Sequence, residues 1–192
     1  MAKIKYGFKN VYYAPITAWD AETGAPTYGT PVKWPGGVSL NMDPQGDNTP
    51  FYADNIIYYM GAANNGYQGD LEMALAVDSF KKDILGFVSD SNEVMIEDVN
   101  AETKHFALLF QFEHDEKASR HVLYNCTATR PSVAGTTKGE SIEPETETCT
   151  ITATSIYNAT LDKDIVKATA NGGSDATAYS SWFNAVYLPA GE

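Results

Sequence analysis

Apolar and polar residues alternate along most of the chain. In Asp70-Leu71-Glu72-Met73-Ala74-Leu75-Ala76-Val77-Asp78, Leu71, Met73, Leu75 and Val77 share one face and acidic or small residues the other, as in a half-buried strand. Lys104 to His114 repeats the pattern, with Phe106, Leu108, Phe110 and Phe112 opposite His105, Ala107, Gln111 and Glu113, and only Leu109 out of step. Arg120 to Arg130 and Thr148 to Tyr157 continue it, the latter with threonines against Cys149, Ile151 and Ala153. Further strands are predicted at Tyr6–Tyr13, Val38–Asp43, Phe51–Tyr59, Glu93–Val99 and Ile165–Ala170.

Two helices interrupt the strands. Asp78 to Gly86 offers Asp78 or Ser79 as N-cap, Phe80, Ile84 and Leu85 as the apolar trio, and Gly86 as the terminator. The second is predicted over Ala176–Val186, with Tyr179, Trp182, Phe183 and Val186 on one stripe and Pro189 beyond it. Between two strand-like runs lies a breaker-rich segment, Asp43, Pro44, Gln45, Gly46, Asp47, Asn48, Thr49 and Pro50, which reads as an extended inter-strand loop. The fold predicted is mainly β: an antiparallel β-sandwich or partly closed barrel with one short flanking helix and a C-terminal helix.

A length of 192 residues fits one domain spanning 1–192, with its C-terminal segment near 172–192. The 13 basic and 25 acidic residues give a net charge of −12, which argues against holding nucleic acid through phosphates or binding an anionic membrane. No apolar run is long enough to span a bilayer, and the start resembles no signal peptide, so a cytosolic origin is expected. Cys126 and Cys149 lack metal or redox spacing and are expected as reduced, half-buried strand residues. The sequons at Asn125 and Asn158 are then chance matches.

Candidate chemistry is sparse. No two of His105, His114 and His121 have the spacing that aims a pair of imidazoles at one metal, and Asp43, Asp47 and Asp54 lack the calcium-loop pattern. Nucleophile-elbow and phosphate-loop signatures are absent, so no enzyme activity, cofactor or metal is expected. Period two places Glu143, Glu145 and Glu147 on one strand face, and Asp70 and Glu72 on another. These five carboxylates are either a solvated face or an acidic wall. Trp34, Tyr58, Tyr59 and Tyr67 are either core or subunit interface.

The opening Tyr6-Gly7-Phe8-Lys9-Asn10-Val11-Tyr12-Tyr13-Ala14 resembles that of the major tail proteins of long, non-contractile-tailed bacteriophages, the phi13-type tail tube family. Looser matches follow in the same order: Tyr52-Ala53-Asp54-Asn55, Asp78 to Gly86, Phe110-Gln111-Phe112, Val122 to Cys126, Ile142 to Thr148, and Trp182 to Tyr187. The resemblance covers nearly the whole chain and includes no catalytic fingerprint. It implies a structural virion protein whose hexameric rings stack into a tail tube that conducts DNA into the host. Its implied partners are other copies of itself, a tape-measure protein, and tail-tip or terminator proteins. DNA would pass without specific binding, and assembly would occur in the host cytoplasm without a membrane. On this reading segment 43–50 is the candidate inter-ring loop and the five carboxylates are candidate lumen residues. A head-tail joining or capsid-type protein, or a carbohydrate-binding β-sandwich, are the alternatives.

Overall fold

The computed structural model describes residues 4–114, 116–137, 144–171 and 173–189. Its strands are β1 (Lys5–Trp19), β2 (Pro26–Tyr28), β3 (Val32–Trp34), β4 (Gly37–Gln45), β5 (Asn48–Ala53), β6 (Ile56–Ala62), β7 (Gly66–Met73), β8 (Val88–Ser89), β9 (Met95–Ile96), β10 (Phe106–His114), β11 (Ser119–Ala128), β12 (Glu147–Thr154), β13 (Ile156–Asn158), β14 (Lys163–Ile165) and β15 (Lys167–Ala170). Two short helices, α1 (Asp78–Asp83) and α2 (Ala176–Ser180), complete the elements of the described residues.

Nine strands form one antiparallel sheet along the path β2-β1-β10-β11-β12-β7-β4, with β3 added to β1 and β15 to β11. The fold is mainly β, as the alternation predicts. The sheet does not close. Pro35 and Gly36 link β3, paired with β1, to β4, paired with β7, but among the described residues no ladder joins β4 to β1. Register shifts near Gly7 and Asn10 bend β1, with Asn10 in the left-handed region at φ +53°.

Two apolar clusters hold the layers together. Phe106, Leu108 and Phe110 point from β10 into the larger one, where Tyr13, Trp34, Leu71, Met73, Cys149 and Ile151 meet Phe80, Ile84 and Leu85 from the α1 region. Ala107 and Leu109 point the other way, against Val122, Tyr124, Ile156 and Trp182. Strand β10 is therefore buried on both faces, not one, and Leu109 is the residue that announced this. The predicted face of Asp70–Asp78 also ends early: Leu71 and Met73 are core, but the strand stops there and Leu75 is 61% exposed.

Helix α1 starts where expected but has no side-chain cap: its N-cap is Val77, so neither Asp78 nor Ser79 caps it. At its end Gly86 adopts φ +75° and Phe87 N–H returns to the Lys81 carbonyl. The C-terminal helix spans only Ala176–Ser180, with Asp175 accepting from the Thr177 and Ala178 amides. Turns replace the rest, yet the predicted stripe still packs. Phe183 stacks on Tyr12 at 4.8 Å, Trp182 donates to the His121 carbonyl, and the Arg120 guanidinium lies over Tyr179. The stretch Glu93–Val99 keeps only β9 as strand.

Candidate assembly surfaces

Segment 43–50 is not a loop. Asp43, Pro44 and Gln45 end β4, Asn48, Thr49 and Pro50 begin β5, and only Gly46 and Asp47 lie between strands. The breakers kink a ribbon instead of ending it. Gly46 sits at φ +134°, where an added Cβ would stand 2.1 Å from the Ala63 carbonyl oxygen, so only glycine fits. The Asn65 amide closes the base onto the Gln45 carbonyl. Pro44 is tolerated because β4 is an edge strand.

Beyond the kink, β5 and β6 pair only with each other, as a two-stranded arm. The predicted single strand Phe51–Tyr59 is this hairpin, reversed at Asp54 and Asn55, whose φ values of +51° and +62° suit the tight turns that match strand twist. Its side chains are apolar and uncovered: Tyr52 and Ile56 are each 62% exposed, Tyr58 71% and Tyr59 66%. Tyr58 and Tyr59 are thus surface. Trp34 is core, donating to the Leu75 carbonyl, and Tyr67 is partly buried against the larger cluster.

The acidic candidates separate. Strand β7 runs between β4 and β12, with Ser39 and Thr148 flanking Glu72, Asn41 and Thr150 flanking Asp70, and Asp43 and Thr152 flanking Gln68. Direct cross-strand partners share a face, so these nine residues form one polar field whose charges are Asp43, Asp70 and Glu72. Thr150 donates to Asp70 at 2.8 Å, and Thr146 and Ser39 each donate to Glu72 at 2.7 Å. The Thr146 bond, then the Ser39 bond, hold the Glu72 carboxyl below its ordinary range. Asp43, the last residue of the predicted strand Val38–Asp43, joins this field by pairing with Gln68, and β4 runs on through Pro44 and Gln45.

Glu147 does not belong to it. It pairs with Met73, shares parity with buried Cys149, and accepts from the Ala76 amide at 2.7 Å. Of the predicted extended run Ile142–Thr148, residues 142 and 143 lie outside the described residues, and β12 starts at Glu147 with Glu145 exposed ahead of it. Glu143 lies outside the described residues.

Near the mouth between β4 and β15, His114 and His121 converge on Ser119, a pairing their sequence spacing hides because a hairpin brings them together. His114 Nδ1 lies 2.9 Å from the Ile4 carbonyl, so it carries the proton. Ser119 then donates to His114 Nε2 at 2.7 Å and accepts from His121 Nε2 at 3.0 Å, leaving His121 Nδ1 to accept from Thr169 at 3.0 Å. Burial, and next Lys167, Lys5 and His114, push His121 down to about 4. Its ring stacks on Phe110 at 5.1 Å.

Beside it opens a cleft of about 250 Å³, with Leu40, Met42, Tyr67 and Phe112 among its apolar walls and Lys5 and Lys167 at its charged positions. Cys126 and Cys149 are free and buried, more deeply than the expected half-burial, and burial pushes their thiols up to about 12 and about 11. Among the described residues no three His, Cys, Asp or Glu side chains gather as a metal set would, and no helix is long and apolar enough to cross a membrane. Set against known proteins, the chain matches no family model and no curated protein sequence.

Proposed function

We propose that this chain is a self-assembling structural subunit, in its most specific form a tail-tube protein whose hexameric rings stack into a conduit for DNA ejection. The observation that carries self-assembly is the β5–β6 arm. A lone two-stranded hairpin is marginal in water, and a contiguous apolar surface of this kind marks a contact site. Among the described residues no part of the chain covers the arm.

Two further features support the reading. Among the described residues the outer edge of β4 has no ladder partner, and an open edge is a template for a neighbouring strand. The field of Asp43, Asp70 and Glu72 is a wall to which DNA would not adhere. Six copies per ring, and the tape-measure and tail-tip partners, follow from the sequence resemblance alone.

Negative-stain microscopy and sedimentation of the purified protein over rising concentration, with and without a tail-tip initiator, test the proposal. Tubes or stacked rings are the expected result. Single closed rings would favour a head-tail joining role, and a strict monomer under every condition would overturn self-assembly.

A further inference from the structure

We infer that the cleft between β4 and β15 receives the arm tip of a second copy, with the Asp54 carboxylate seated between the Lys5 and Lys167 ammonium groups. This rests on the self-assembly reading above and adds to it the donor, the acceptor and the direction of the contact.

The acceptor is built from mismatched parts. Lys5 Nζ lies 4.4 Å from the Phe112 ring centroid and Lys167 Nζ 4.4 Å from that of Tyr67. In a chain with 25 acidic and 13 basic residues, both cations rest on aromatic faces and neither meets a carboxylate among the described residues. His121 faces them from β11 and the Tyr67 phenol from β7, while the β4 wall of Leu40, Asn41 and Met42 contributes no charge. The site is a slot of about 250 Å³ with apolar walls from Leu40, Met42, Phe110 and Phe112, the polar Asn41 and His121 beside them, and two positive charges. Its complement is a short apolar segment bearing one carboxylate.

The arm tip has that chemistry. No Lys, Arg or His occurs between Lys33 and Lys81. Asp54 sits exposed at the turn, with Tyr52 and Ile56 projecting on either side, each 62% exposed. The tip cannot fill the cleft of its own chain. Met42 and Tyr67 line the cleft close to the arm's base, and β5, six residues at about 3.3 Å each, carries the tip about 20 Å away. Donor and acceptor therefore lie apart on one subunit, so each contact leaves a free tip and a free cleft. A heterologous contact of this kind propagates into rings or filaments and does not stop at a dimer.

A charge exchange tests it, with assembly followed by sedimentation and microscopy and folding by circular dichroism. Asp54→Lys alone, and Lys5→Glu with Lys167→Glu, are each expected to raise the concentration needed for assembly at least about tenfold with the melting curve unchanged. Combining all three substitutions should restore assembly to within about threefold of the parent, since the opposite charges meet again. In a second measurement, Asp54→Cys protein mixed with Lys167→Cys protein and oxidised should give an inter-subunit disulfide, the native thiols being buried. Unaltered assembly of either charge variant, or folded triple variants that stay unassembled and cysteine pairs that do not cross-link, would overturn the docking while self-assembly by the parent stands. Failure of the parent to assemble at all would overturn the prior reading and this one with it.

Discussion

Tyr124 is fully buried between β10 and the C-terminal segment, yet among the described residues its hydroxyl has no hydrogen-bond partner. A buried unpaired hydroxyl costs stability and contributes none, so Tyr124→Phe is expected to leave the urea midpoint unchanged or raise it by the equivalent of about 1 kcal/mol. Tyr28→Phe is the contrast, because the Tyr28 hydroxyl donates to the Tyr124 carbonyl at 3.0 Å and its loss should lower the midpoint. The Ser119 chain gives a second outcome at this scale. His121 falls from its ordinary 6.5 to about 4, chiefly by burial, so the fold favours the neutral ring. That preference contributes fully above pH 6.5 and is lost as pH falls from 6.5 towards 4. Urea midpoints at pH 7 and pH 5 should therefore diverge in the parent and converge in His121→Gln, which keeps a donor to Ser119 and cannot titrate.

At the scale of elements, the arm is separable from the sheet. Gln45 pairs with Gly66 at the end of the β4–β7 ladder, so a two-residue Asn-Gly turn replacing residues 46–65 should close that hairpin without disturbing Leu71 or Met73. The expected product melts like the parent and stays monomeric at concentrations where the parent assembles; tubes of normal length from it would make the arm dispensable. Strand periodicity was legible because Leu71, Phe106 and Phe110 face one core and follow period two. The arm was less so. Its apolar run shows no alternation of burial, since no core lies on either side, and its turn is announced only by Asp54-Asn55. Breakers at Pro44 and Gly46 imitate a loop because an edge strand accepts proline and a kinked ribbon needs glycine. The extent of β12 was hidden because Glu147 is polar yet turned inward, its charge answered by the distant Ala76 amide.

At the scale of the whole molecule, the tail-tube proposal gives the field on β4, β7 and β12 a testable role. DNA carries one negative charge per about 1.7 Å of axis, and a wall of lysines would hold it by counterion release at many points. A wall of carboxylates among threonines and asparagine does the reverse. Repulsion reaches only about 8 Å at physiological salt, so the net −12 of the chain matters little unless the charges stand on the lumen face itself. Asp70 and Glu72 stand side by side on one sheet face with Asp43, whereas Glu147 faces inward and drops out of the set. The Thr146 and then the Ser39 hydroxyl favour the ionised Glu72 carboxylate and hold its carboxyl below the ordinary range. Asp43→Lys, Asp70→Lys and Glu72→Lys together leave the core face of Leu40, Leu71 and Ile151 untouched, so tubes are expected to form normally. DNA ejection from virions carrying the triple variant should be slower than from the parent at low salt and approach it at high salt, because screening removes a Coulombic drag and leaves a steric one intact. Equal ejection rates at both ionic strengths would place this face on the outside of the tube and assign its charge to solubility.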